Sequence, residues 1–233
     1  MQIQYTNQLD LSNGVKSLLY GISGIGKTSI IATAPRPFIF NAEKGLLSLQ
    51  QFKIPYVTVS TFKELDDAFL WATKSNEARN FDTFALDSLS EIAEVVNVFE
   101  RKKNPDARKW SPAAQDSIYH LVRAFRDLPK KHVVCIAKQT SADAGDAFAG
   151  QLVTKQAMPM MPGGKLTENM PYFWDAVLHM TQGVTDNGGQ WRGLHTSSTP
   201  YWQAKDRSGK LAALEYPDLT NLFKKAMGQP TQY

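Results

Sequence analysis

Residues Gly21-Ile22-Ser23-Gly24-Ile25-Gly26-Lys27-Thr28 fit the pattern G-x-x-x-x-G-K-[ST], with Ser29 next in the chain. That pattern dictates much of the local structure. Glycines without a Cβ let successive backbone N–H groups curl around a phosphate. Lys27 is then placed to reach the β- and γ-phosphates, and the Thr28 hydroxyl to join the shell of a Mg²⁺ ion. The flanks agree with this reading. Residues 15–20 (VKSLLY) read as a short buried strand, and Ser29-Ile30-Ile31-Ala32 as a helix that Pro35 stops. A helix start at this point aims its positive end at the same anion. ATP with Mg²⁺ is the expected ligand of residues 21–29.

The rest of the chain alternates strand and helix. Residues 55–59 (PYVTV) and Phe84-Ala85-Leu86 read as strands, 132–137 (HVVCIA) as the most continuous buried strand, and Phe38-Ile39-Phe40 as a short apolar run without alternation. That texture belongs to strands buried on both faces. Residues 61–74, 88–101 and the stretch around Ile118, Leu121, Val122 and Phe125 carry apolar side chains at helical spacing. The order predicts an α/β fold with a mainly parallel sheet. Residues 138–171 have no convincing period. After them come three β-textured stretches, 176–180, 191–195 and 201–205, with turn signals at Asn187-Gly188-Gly189 and Ser208-Gly209. A closing helix is expected over 217–227. The expected organisation is one domain over 1–233, with an N-terminal segment at 1–13.

Composition removes several classes. Apolar residues make up 42% and aromatics 11%, which excludes a chain disordered throughout. No apolar run is long enough for a membrane span, and the first residues lack the basic and apolar regions of a signal peptide. A single cysteine, Cys135, excludes an internal disulfide framework and reads as a buried strand residue, so cytoplasm is the expected compartment. His120, His132, His179 and His195 lack metal-ligand spacing. A net charge of +4 permits an anionic partner without requiring one.

Further residues carry chemistry. Asp87 ends an apolar strand, where a carboxylate can hold the Mg²⁺ shell or cap the next helix. Glu43 follows the second strand, at the edge where ligands bind in open α/β sheets. It is either a general base for water or an exposed loop residue. Gln139, after Lys138, is either a γ-phosphate sensor or a solvated strand end. Lys205 and Arg207 are two apart, so in an extended chain they point the same way. They read as a solvated hairpin tip, or as cations reaching a neighbouring subunit's phosphate. The stretch 101–110 holds Arg101, Lys102, Lys103, Arg108, Lys109 and Trp110. It reads as a basic loop with a base-stacking aromatic, or as plain solvated surface. The 138–171 stretch offers Lys155, Lys165 and Phe148 for the same purpose; Met158, Met160 and Met161 read as packing.

Taken in order, these pieces resemble the RecA-like ATPases. FIFNAEKGL at 38–46 is similar to the segment in which a glutamate serves as catalytic base, and LDS at 86–88 to the strand end that holds the metal. IAKQT at 136–140 resembles the segment whose glutamine senses the γ-phosphate. MPGGKL at 161–166 and FWDAVLHM at 173–180 resemble the end of a second DNA-binding loop and the strand after it. AKDRSG at 204–209 resembles the cation pair that crosses a subunit interface. Over about 15–225 the narrower likeness is to phage-encoded minimal RecA-like proteins of the single-strand annealing type. This resemblance implies slow ATP hydrolysis, stimulated by DNA. It places DNA-binding loops at about 101–114 and 140–165. The implied partners are single-stranded DNA, further copies in a ring or filament, and a single-stranded DNA-binding protein. No membrane is implied, and the compartment is the cytoplasm of a bacterial host. An accessory protein switched by nucleotide, such as a helicase loader or packaging factor, is the alternative. A small-molecule kinase ranks last, because no arginine-bearing lid is evident.

Overall fold

The computed structural model describes residues 13–143 and 155–231. Six parallel strands form the centre: β1 (Lys16–Tyr20), β2 (Pro37–Asn41), β3 (Tyr56–Thr58), β4 (Thr83–Asp87), β5 (His132–Ala137) and β8 (Ala176–Val184). β9 (Gln190–His195) and β10 (Lys205–Asp206) pair antiparallel with β8, and β11 (Leu214–Glu215) with β9. The order across the sheet is β11-β9-β8-β1-β5-β4-β2-β3, with β10 on the free part of β8. The expected α/β class, mainly parallel with antiparallel strands toward the C-terminus, is the one observed.

The central parallel strands β1, β2, β4 and β5 are buried along almost their whole length because both faces are covered, whereas β3, at the sheet edge, exposes Tyr56 and Thr58. In β1, Leu18 and Tyr20 pack on one side and Leu19 on the other. The first side is covered by α1 (Phe62–Lys74), α2 (Leu89–Lys103), α3 (Ala107–Arg126) and α4 (Gly164–Asn169). The second side is thinner. It holds a 3₁₀ turn over Ser29–Thr33 and α5 (Leu219–Ala226), which contributes Leu219, Leu222 and Phe223. Side-chain caps start four of these helices, all but α4. Thr61 and Glu64 form a reciprocal capping box on α1, and Ser88, Asp106 and Asp218 cap α2, α3 and α5.

Several expectations change. The helix foreseen after Thr28 is only that short 3₁₀ turn. Ile30, Ile31 and Thr33 are β-branched and Pro35 follows, so propagation is poor. The basic loop foreseen at 101–114 is largely helical. Arg101, Lys102 and Lys103 end α2, residues 104–106 turn, and Arg108, Lys109 and Trp110 open α3. The stretch 138–171 contains a two-stranded hairpin, β6 (Gln139–Asp143) with β7 (Lys155–Pro159), and then α4, which carries Lys165. Phe148 and the rest of 144–154 lie outside the described residues, as do 1–12 of the N-terminal segment. Residues 201–204 are not a strand. Ser208-Gly209 is not a hairpin tip either, because the Asp206 carboxylate takes bonds from Ser208, Lys210 and Leu211 and folds the chain into a local turn. Cys135 is fully buried, Met158 and Met161 are nearly so, and Met160 is exposed. Among the described residues no helix is long and apolar enough to cross a membrane.

Tyr20 ties this scaffold together. Its buried hydroxyl lies 2.6 Å from the Gln203 carbonyl and 2.9 Å from that of Ala157, and accepts from Gln203 N–H at 3.1 Å. Burial pushes its pKa far up, so it stays protonated. Tyr20→Phe leaves the Gln203 carbonyl without this donor, while Gln203 N–H keeps the Ala157 carbonyl at 3.0 Å, and should cost about 1–3 kcal/mol in urea unfolding. An unchanged midpoint would mean that other groups or water replace the hydroxyl.

Candidate nucleotide site

The C-terminal ends of β1, β2 and β5 open onto one cavity of about 760 Å³. Gly21, Ile22, Ser23, Gly24, Gly26, Lys27, Thr28 and Ser29 form one wall; Ile25 instead points into the core. Gly24 and Gly26 have φ of +77° and +103°, which only glycine adopts readily. Glu43, Lys138, Gln139 and Met160 line the cavity as well. With so short a turn after the loop, an anion here depends on the loop amides and on Lys27 more than on a helix dipole.

Lys27 curls back onto its own loop, donating to the carbonyls of Gly21 at 2.9 Å and Ile22 at 2.8 Å. Burial lowers its pKa, an effect opposed by Glu43 and Asp87 and reinforced by Lys138. A bound phosphate would give the ammonium a stronger partner than these carbonyls.

Thr28 donates from Oγ1 to Oδ2 of Asp87 at 2.7 Å. Asp87 is almost fully buried at the end of β4, and its Oδ1 has no hydrogen-bond partner. Burial raises its pKa from 3.8 to about 6. The Thr28 bond and Lys27 pull it down, and Glu43 adds to the rise. An orphaned carboxylate oxygen beside a hydroxyl fits a hard divalent cation, so Thr28 and Asp87 would hold Mg²⁺. The helix-capping alternative for Asp87 falls away, because Ser88 caps α2.

Glu43 is hung on the same strand end. The amides of Ala42 and Glu43 both donate to the Asp87 carbonyl, at 2.8 and 3.2 Å, and Asn41 Oδ1 accepts from Lys44 N–H at 3.1 Å. The Glu43 carboxylate is 3.8 Å from Lys138 Nζ, which also binds Glu91. Lys138, at the end of β5, thus bridges two carboxylates. Gln139 presents Oε1 to His179 Nε2 at 3.1 Å. His179 stacks on Tyr20, and His195 lies tilted against Trp202. Burial and His195 lower the His179 pKa to about 4, so the ring is neutral and Nε2–H donates to Gln139. Among the described residues no cluster of three metal-ligating side chains exists.

Lys205 and Arg207 lie elsewhere. Lys205 is level with Val177 in β8, which is level with Leu18 of β1, short of the loop. Lys205 donates to the Pro171 carbonyl and Arg207 to that of Tyr172, both at 2.6 Å; Arg207 is also 3.8 Å from Asp175. They share a face, but neither lines the cavity of its own chain. Arg101, Lys102, Lys103, Arg108 and Lys109 are exposed, and Trp110 is half-buried. Lys103 pairs with Glu100 and lies over the Phe99 ring. Lys155 is exposed at the start of β7, and Lys165 is exposed on α4.

The sequence reading missed Arg192, in β9. A Cβ on Gly26 would lie 2.9 Å from its Nη1. No local signal points to that residue, since only the pairing of β9 with β8 brings it to the loop.

Residues 13–208 match the family model described as an AAA domain, AAA_24. Two solved structures share similarity with the chain. One is an ATPase from the type III secretion system of pathogenic bacteria, with TM-score 0.46 and 13% identity over 75% of this chain and 53% of that one. The other is a KaiC-like protein from the hyperthermophilic archaeon Pyrococcus horikoshii OT3, with TM-score 0.39 and 15% identity over 78% of each chain. The chain therefore spans about half the length of the first. No curated protein matches it in sequence.

Proposed function

Since this chain belongs to the AAA domain family of P-loop ATPases, we propose that it is an ATP-dependent single-stranded-DNA-binding protein of RecA-like type, acting in annealing or recombination. The observation that carries the ATPase part is the Thr28–Asp87 pair. It leaves Asp87 Oδ1 free just behind Thr28, which lines the cavity together with Lys27 and Glu43. The loop amides of residues 21–29 and Lys27 bind the phosphates. Mg²⁺, when bound, supplies charge neutralisation at the terminal phosphates. Glu43 takes the proton of a water attacking the γ-phosphorus, and ADP and phosphate leave. Gln139 lies on the same wall and begins β6, so it connects this cavity to the β6–β7 hairpin.

Two features favour DNA as the partner. The turn between α2 and α3 gathers five exposed cations, Arg101, Lys102, Lys103, Arg108 and Lys109, beside Trp110. The hairpin that starts from Gln139 returns through exposed Lys155, and Lys165 follows on α4. Lysine and arginine neutralise phosphates, and an indole stacks on an unpaired base. Because Lys205 and Arg207 do not reach the cavity of their own chain, their proposed place is a neighbouring subunit's ATP, in a ring or filament. A phage source, a host-cell cytoplasm and a single-stranded DNA-binding protein as a further partner belong to the same reading.

ATP turnover at low salt, with and without single-stranded DNA, tests this. Lys27→Ala serves as the blank. Strong stimulation is expected, with turnover rising more than linearly with protein concentration. Each cation removed from the α2–α3 turn should lower the salt slope of DNA affinity by about 0.7, the value for a single-strand phosphate contact. Turnover indifferent to DNA would favour the accessory-protein alternative.

A further inference from the structure

Arg192 has no partner suited to its charge. The other cations near the cavity have one. Lys138 is held by Glu91 and Glu43, and Lys27 by loop carbonyls. Farther off, Lys205 and Arg207 bind backbone carbonyls. Among the described residues the Arg192 side chain makes no hydrogen bond and no ion pair. Its guanidinium nonetheless sits against the loop: a Cβ on Gly26 would be 2.9 Å from Nη1 and 3.4 Å from Cζ. Gly26 directly precedes Lys27.

The side chain is mounted on a firm element. Arg192 pairs with Gln182 across the β8–β9 hairpin. The indole of Trp191 lies across Gly183, where a Cβ would come within 2.6 Å of it. The hairpin turn is closed by Thr185 N–H donating to the Gly189 carbonyl at 2.7 Å. Met180 of β8 fills the space beside Gly26. The hairpin continues past the level where Tyr20 pairs with His179, the end at which β1 enters the loop. An exposed guanidinium with its donors unused, next to amides that collect anions, is built for phosphate oxygens. Its planar fork matches them in pairs, as an ammonium does not.

We propose that Arg192 is a ligand of the nucleotide phosphates in its own chain, approaching the bound triphosphate from the β8–β9 hairpin across Gly26. This rests on the ATP-binding reading above. It differs from the Lys205 and Arg207 role, which needs a second subunit. It also gives Gly26 a second constraint besides its backbone angle, because any side chain there would displace the guanidinium.

Calorimetric binding of a non-hydrolysable ATP analogue with Mg²⁺ to the full chain tests the proposal. Wild type, Arg192→Ala, Arg192→Lys and Lys27→Ala are compared, with adenosine as the phosphate-free probe. Arg192→Ala should weaken the analogue about tenfold or more, the size of a lost charge-assisted contact. Arg192→Lys should recover part of that loss. Adenosine should bind wild type and Arg192→Ala alike, and unfolding without nucleotide should be unchanged. Affinity within about twofold of wild type, while Lys27→Ala loses binding, would overturn this proposal alone. So would equal losses for analogue and adenosine. A wild type no better than Lys27→Ala would overturn the ATP-binding reading and this proposal with it.

Discussion

Asp87→Asn should abolish ATP turnover and, without nucleotide, remove the part of the fold's pH dependence in which stability falls as pH rises. Both effects come from one buried carboxylate. Its Oδ1 has no partner, and burial raises its pKa from 3.8 to about 6. Below 3.8 the folded and unfolded chains are both protonated, and the group has no effect on stability. Between 3.8 and 6 the folded chain keeps a proton that the unfolded chain releases, so stability falls as pH rises. Above 6 the full cost, about 3 kcal/mol, is present. His132 and His179, both lowered to about 4 by burial, act in the opposite direction, so the test is a difference between two proteins. The stability of Asp87→Asn relative to wild type should rise by about 2 kcal/mol from pH ~4 to pH ~7.5 in nucleotide-free denaturant unfolding. Subtraction removes the constant cost of placing an amide at this position. A pH-independent difference would mean that Asp87 is ionised at little cost in the folded chain. With ATP and Mg²⁺ added, wild type should gain stability and the variant should not.

Glu43→Gln should separate chemistry from binding. Removing a general base typically costs about 10²–10⁴ in rate. Here the backbone that places the side chain does not depend on its charge. The Glu43 amide bonds the Asp87 carbonyl, Asn41 holds the turn, and Lys138 keeps Glu91. Turnover should therefore fall by about two orders of magnitude or more while ATP affinity stays within a few-fold. Steady-state turnover beside equilibrium binding reads both. A fall of less than about tenfold, or an equal loss of binding, would remove Glu43 from the role of base.

Much of the site was legible because its chemistry is local. Gly24 and Gly26 had to be glycines at positive φ, Thr28 follows Lys27, and Asp87 ends an apolar run that could only be a strand buried on both faces. Glu43 was legible as a carboxylate just past a strand. Its suspension from Asp87 was not, because β2 and β4 are far apart in the chain. The β6–β7 hairpin escaped notice because its residues, Gln139-Thr140-Ser141-Ala142-Asp143, bury no regular apolar face. Pairing with Lys155–Pro159 holds it in place. The basic run around 101–110 has the texture of a loop. Charges there mask two helix ends that are set by caps and by packing of α2 on α3.

The sequence by itself determined the phosphate loop, the parallel α/β class and the carboxylates at the strand ends. Each follows from backbone conformation or from burial over a few neighbouring residues. Only the tertiary structure decided that β5 lies between β1 and β4, that Gln139 meets His179, and that Arg192 arrives beside Gly26. Periodicity reports which face of an element is buried. It says nothing of which strand supplies the neighbour, because that choice rests on hydrogen bonds and packing between distant segments.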